Sequence, residues 1–404
     1  MNRVVVTGIG VVSALGNNAG EFWESISAGR SGIGPITKVD ASALRFKKAA
    51  EAGNFDAAKH FDERALMFLD PFSQFGIVAA REAVTDSGIE FTEELRNRTG
   101  VVTGSCLGGK ETEDNLYAEL YGDNKPRFPP TIIPRVMGNA VASQVSMEFG
   151  LTGATFTTST ACSSANHAIG QAFWLVRQGT LDAAIAGGSE APLAFGHLKA
   201  WEAMRVVSPD TCRPFSKDRS GMILGEGGAM FVLENLENAR ARGAKIYAEI
   251  AGFGMSADAH HLTMPLTDGA ARAIRGALSD AGLNAEQVGY INAHGTATQA
   301  NDSMESAAIR LVFGDHAKDV FVSSTKSMHG HALGAAGAIE AAATVLGMQN
   351  GVLPPTANFN ERDPDCDINI IQNEAVEERP DAALSNSFAF GGLNAVLAFK
   401  RWQG

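Results

Sequence analysis

One of the four cysteines in this chain, Cys162, sits where a nucleophile would be built. It lies in the run TTSTACSSANHAIGQAF. Apart from Phe156, residues 155–160 are β-branched or small and predict a buried strand; residues 163–172 predict a helix of small residues. The thiol therefore falls at a strand-to-helix turn. The dipole and free N–H groups of a helix start lower a thiol pKa, and the same N–H groups can hold an oxyanion. This is a nucleophile elbow built on cysteine. Cys106, Cys212 and Cys366 lack such a turn and read as buried apolar residues.

Such a thiol needs bases or hydrogen-bond donors around it. His294, in YINAHGTATQAND, and His331, in SSTKSMHGHALGAAGA, each follow a strand-like run and are expected to converge on Cys162. Lys326 is the one charged residue in a small apolar stretch, so it should be buried and paired, with Glu340 on the next helix as its partner. His167 and His329 read as surface or capping residues. His260 and His261 have no strand-end argument. Metal binding is disfavoured, because no third ligand follows His329 and His331 at ordinary spacing. Residues 225–229, GEGGA, lack the lysine and hydroxyl of a phosphate loop.

The elements that must position these groups repeat along the chain. RVVVTGIGVVSA (3–14) matches YAEIAGFGMSAD (247–258), and FGIVAAREAVTDSGI (75–89) matches DGAARAIRGALSDAGL (268–283). The strand, turn and helix of 154–172 recur at 320–338, and LDAAIAGGSEAP (181–192) recurs as PDAALSNSFAFGG (380–392). Repeats in a fixed order predict two pseudo-symmetric α/β halves, 1–246 and 247–404, each with a mostly parallel sheet. Residues 110–140 and 190–225 read as inserted loops or caps.

Composition bounds the function. The 404 residues are 45% hydrophobic and 19% charged, which excludes a disordered chain. A net charge of −12 argues against a nucleic-acid partner. Few cysteines point to a reducing compartment. The glycine-broken N-terminal run is too short for a signal peptide or membrane span. A cytoplasmic protein is expected.

The segments VVVTGIGVVSALG, TACSSANHAI, DTCRPFSKDRSGMILGEG, NAHGTATQAND, SSTKSMHGHALGAAGAIEA, LPPTANF and NSFAFGGLNAVLAF resemble the elongating β-ketoacyl-[acyl carrier protein] synthases. CSSANHAI, LKAWEAMR and DTCRPFS are similar to the nodulation-protein-E-like branch. The resemblance implies a thiolase-like fold with layers α/β/α/β/α. It implies decarboxylative condensation of malonyl thioesters onto an acyl chain on Cys162, in fatty acid or specialised acyl-lipid biosynthesis. His294 and His331 would bind the malonyl thioester carbonyl, supported by Lys326 and Glu340. The N–H groups of Cys162 and Phe390 would form the oxyanion hole. Phe390 and Gly391 would belong to the gate of the acyl pocket, and Leu107 would limit chain length. Thr263, Thr296 and Thr298 would line the pantetheine tunnel.

No metal or organic cofactor is implied, because the phosphopantetheine arm arrives on an acyl carrier protein. A homodimer is implied as well. Three departures from the family pattern stand out. Ala389 replaces the usual glycine before Phe390 and is expected to stiffen the gate. Cys106 stands where glycine is common. The carrier-docking stretch is ALMFLD rather than basic, which leaves docking to Arg64, Lys125, Arg127 and Arg205. Two alternatives share the fold. A thiolase would need a second cysteine in NSFAFGGLN, and a chain-length-factor-like subunit would lack the thiol.

Overall fold

The computed structural model describes residues 1–122 and 127–404. Ten strands form one sheet. In chain order they are β1 (Val4–Ser13), β2 (Thr99–Gly104), β3 (Thr155–Thr158), β4 (Ala183–Glu190) and β5 (Gly227–Asn235). The second half supplies β6 (Ala248–Ala257), β7 (Tyr290–Asn292), β8 (Phe321–Ser323), β9 (Ala382–Ala389) and β10 (Leu393–Arg401). Their order across the sheet is β8-β7-β9-β10-β6-β1-β5-β4-β2-β3. Each of the first five strands thus has its counterpart five places later, mirrored about the β1–β6 joint. Pairings are parallel only between β8 and β7, β7 and β9, β4 and β2, and β2 and β3. The remaining pairings are antiparallel.

The sheet is therefore mixed, not mostly parallel. The tight β9–β10 hairpin through Phe390, Gly391 and Gly392 forces an antiparallel pair, and β4–β5 repeats that pairing across a longer connection. Nor is β3 a buried strand. It is the outermost strand of its half, with Thr155 and Phe156 exposed. The expected caps contain helices: Lys110–Gly122 and Ile132–Val136 in one, Phe195–Met204 in the other.

Period-two alternation sorts side chains into layers. On β5, Ala229, Phe231 and Leu233 face a central core, while Met230 and Val232 face an outer one. On β10, Ala395, Leu397 and Phe399 face the same central core, while Val396 and Ala398 face a second outer one. A bulge on β1 between Val6 and Gly8 shifts the register, so Val4 and Val6 share the central face with Ile9 and Val11. The Ser164–Arg177 and Ala336–Asn350 helices fill that centre. The Pro71–Ser87 helix covers one outer face, and the Thr267–Ala281 and Gln299–Phe313 helices cover the other.

Gly170 shows how tightly the halves meet. It lies on the central helix of the first half, and a Cβ there would stand 2.4 Å from the ring of Phe253 on β6. Phe253 is buried and cannot withdraw. Gly170→Ala should overpack this joint and cost about 1–3 kcal/mol. A denaturant titration should show a lowered midpoint, partly restored by adding Phe253→Leu. An unchanged midpoint would mean that the halves are not pressed together here.

Candidate active site

Cys162 occupies the turn between β3 and the Ser164–Arg177 helix. Ala161 before it has φ 52°, a strained left-handed backbone for a residue with a side chain. Small hydroxyl residues hold that turn. Ser164 Oγ donates to the Ala161 carbonyl at 2.6 Å and accepts from the Thr160 N–H at 2.9 Å. Ser163 Oγ donates to the Thr160 carbonyl at 2.9 Å. The backbone N–H groups of Phe390 and of Cys162 itself favour the thiolate.

The thiol's protonation differs from the sequence expectation. Burial pushes Cys162 up to about 11, while the Lys326 charge and those two N–H groups draw it down. Helix-start polarity is present, but desolvation of a thiolate outweighs it. Cys106 and Cys212 are also raised by burial, against which the Gly334 and Ile223 N–H groups respectively act.

His294 follows β7 and His331 follows β8. Donor atoms of Cys162, His294 and His331 all lie within 4.8 Å of one another, and the imidazole rings meet edge to face at 5.4 Å. Burial, then the Lys326 charge, holds both histidines well below the usual 6.5, so both are neutral. Their tautomers follow from their neighbours. Lys326 Nζ, which can only donate, sits 3.3 Å from His294 Nδ1. The Leu333 N–H donates to His331 Nδ1 at 3.2 Å. Each ring proton must then reside on Nε2.

That arrangement disfavours a metal centre. A ligating imidazole ordinarily donates its other ring N–H to an acceptor. Here both Nδ1 atoms already accept, so coordination through Nε2 would require an imidazolate. What the site offers instead is a thiol beside two neutral N–H donors.

Lys326 and Glu340 are both fully buried and form an ion pair. Lys326 also donates to the His294 carbonyl at 2.7 Å. Sequence reasoning missed the clamp behind His294. Glu305 accepts the N–H groups of His294 and Gly295, each at 2.8 Å, and Asn386 donates to the same carboxylate at 3.1 Å. The available signal was Ser385-Asn386-Ser387 inside an otherwise apolar strand run.

A pocket of 220 Å³ opens onto the thiol. Thr263, Thr296, Thr298 and Phe390 line it with the catalytic-type trio, alongside unforeseen Trp201, Met204, Leu262 and Met264. Phe390 stacks on Trp201 with ring centroids 6.2 Å apart. Gly391 does not line the pocket; its N–H donates to the Leu262 carbonyl at 2.7 Å. Leu107 is also off the lining and packs half-buried with Ile36, Leu44, Phe46 and Leu198. Ala389 is the last residue of β9, paired with Leu393, so its Cβ imposes no backbone strain; the left-handed backbone falls on Gly391 and Gly392.

Arg64, Arg127 and Arg205 are exposed, and Arg205 directly follows the lining residue Met204. Lys125 lies outside the described residues. His329 is fully buried beside Thr325, and His167 is half-buried against Thr160, so neither is a surface residue. His260 and His261 are exposed.

The mirrored layers and the elbow define a thiolase-like condensing fold. The chain belongs to the β-ketoacyl synthase family. "Beta-ketoacyl synthase, N-terminal domain" matches residues 1–239, and "Beta-ketoacyl synthase, C-terminal domain" matches residues 247–360. "Nodulation protein E" of Rhizobium sp. (strain N33) is 49% identical over 399 residues, 99% of each chain. "3-oxoacyl-[acyl-carrier-protein] synthase 2" of Synechocystis sp. is 42% identical over 409 residues, covering 99% of this chain and 98% of that protein. The solved "type II PKS acyl-carrier protein in complex with its ketosynthase bound to the hexaketide" superposes with a TM-score of 0.89 at 32% identity, covering 100% of both chains.

The thiol's burial makes a direct prediction. Alkylation of Cys162 by iodoacetamide proceeds through the thiolate. Its rate should keep rising with pH beyond 9.0, the ordinary thiol value, without levelling off there. A plateau near neutral pH would mean that the helix start and Lys326 outweigh desolvation.

Proposed function

We propose that the protein extends a Cys162-bound acyl chain by decarboxylative condensation with malonyl-[acyl carrier protein]. The observation that carries this is the thiol flanked by two neutral Nε2–H donors at the floor of a largely apolar pocket. In the first half-reaction the sulfur attacks an acyl thioester and the pantetheine thiol leaves with the proton. The N–H groups of Cys162 and Phe390 face the oxyanion of that step. In the second, the malonyl thioester oxygen accepts from His294 and His331. Loss of carbon dioxide leaves an enolate held by those two donors. Its carbon attacks the Cys162 thioester, forming the new C–C bond and releasing the enzyme thiolate, which takes up a proton. Lys326 and Glu340 support the site by fixing His294. No step calls for a metal or an organic cofactor.

Thr263, Thr296 and Thr298 suit a pantetheine arm, whose amides need hydrogen-bond partners along the pocket. Phe390 and Gly391 form the gate. Leu107 would bound the acyl chain only if the cavity extends past Phe390. Carrier docking would use Arg205 at the mouth, with Arg64, Arg127 and Lys125 as further basic contacts for an acidic carrier.

A homodimer fits the sheet edges. The free edge of β8 is covered by residues 369–371, through bonds of Val322 to Asn369 and Ile371. The outer edge of β3 has no such cover among the described residues, and Phe156, Met147 and Ile133 are exposed. Two β3 edges could pair across a two-fold axis. Among the described residues no helix is long and apolar enough to cross a membrane.

Cys162→Ala should abolish acyl transfer and condensation while preserving the fold. His294→Ala and His331→Ala should cut malonyl decarboxylation far more than acyl loading, read as separate single-turnover rates. Substantial condensation by Cys162→Ala would overturn the nucleophile assignment, and equal loss of both steps would overturn the division of roles.

Histidine ionisation gives an independent check. Both pKa values are depressed and the neutral form is the working one. The decarboxylation rate should therefore hold as pH falls through 6.5, the usual histidine value. A loss centred there would show that the histidines titrate normally.

A further inference from the structure

We infer that Glu190 is a positioning residue for His331, fixing the backbone that sets its tautomer. The inference rests on the role proposed above for His331. Glu190 ends β4, and its carboxylate is fully buried. Its donors are all uncharged. Ser105 Oγ lies at 2.9 Å, the Cys106 N–H at 2.8 Å, and the N–H groups of Leu107 and Gly334 at 3.2 Å. Burial pushes the Glu190 carboxyl up to about 7 while these donors draw it down; when ionised it holds them through charge-assisted bonds for which water does not compete.

The Gly334 bond matters for the chemistry. Leu333 has φ 46°, a left-handed backbone that a bulky residue rarely adopts. Such a conformation persists only where its surroundings over-determine it. Here two consecutive N–H groups are held: that of Leu333 by His331 Nδ1 and that of Gly334 by Glu190. Glu190 thereby keeps the Leu333 N–H aimed at Nδ1, and the His331 proton stays on Nε2, facing Cys162. Gly334 is required for this approach, because a Cβ would stand 2.4 Å from Glu190 Oε2. Glu190 does not line the pocket and acts through another residue.

Two variants disturb the contact from opposite sides. Glu190→Gln keeps the shape and removes the charge. Gly334→Ala keeps the carboxylate and pushes the backbone away from it. Each should lower malonyl decarboxylation by about tenfold or more, as sub-ångström misplacement of a catalytic group does, with acyl loading of Cys162 largely retained. In ¹⁵N-histidine-labelled protein, the His331 signal should shift from the Nε2–H form towards a mixture with Nδ1–H, which loss of stability alone would not produce. Persistence of the pure Nε2–H form in both variants, or equal loss of acylation and decarboxylation, would overturn the inference. His331→Ala run alongside separates the two levels. If it leaves decarboxylation intact, the functional reading fails. If it abolishes decarboxylation while Glu190→Gln keeps the full rate, only the positioning role fails.

Discussion

Removing an ammonium from water costs on the order of several kcal/mol unless its protons find acceptors. Lys326 meets that demand with three: the Glu340 carboxylate, the His294 carbonyl and His294 Nδ1. Each has a consequence at the site. The carboxylate ties the start of the Lys326–His329 helix to the Ala336–Asn350 helix. The carbonyl holds the loop after β7. The ring nitrogen selects the imidazole tautomer. Burial keeps His294 and His331 neutral, and the same charge adds to that effect while it moderates the rise in the Cys162 pKa. Loss of Lys326 would therefore alter the electrostatics of the whole trio, not one contact.

The mirrored sheet explains why groups so distant in sequence meet. β3 and β8 are counterparts, and each feeds a helix of the central layer. The turns preceding the two helices meet, which brings side chains on them within 4.8 Å of one another. One turn carries the thiol, the other His331. β7, beside β8, delivers His294 from the next strand end. The mirrored scaffold thus holds two similar turns that carry different side chains, a thiol on one and an imidazole on the other.

Much of this was legible in the sequence because it depends on local pattern. A β-branched run, a polar turn and a small-residue helix mark the Cys162 elbow, and the repeat marks the opposing turn. A lone charge among small residues marked Lys326 as buried. What escaped depends on depth and on remote partners. The thiol pKa direction follows from burial, which the turn itself does not reveal. Glu190 and Glu305 act on backbone N–H groups and Asn386 on the Glu305 carboxylate, contacts that no spacing announces. Strand direction departs from the expectation because the β9–β10 hairpin hides in a glycine pair that a motif reading assigns to a loop. Leu107 was placed by resemblance alone, and its observed packing lies off the open pocket.

Phe390 contributes its ring to the pocket wall and its N–H to the neighbourhood of the thiol. Access and reactivity are thereby carried by one residue. Any swing of the loop that widens the pocket also withdraws a donor from the place where negative charge would form. On the function proposed above, an acyl chain on the sulfur would be least electrophilic with the pocket open to water and most electrophilic with the wall closed over a second substrate. The loop's own geometry would suppress hydrolysis between the two half-reactions, with no separate element needed to keep water out.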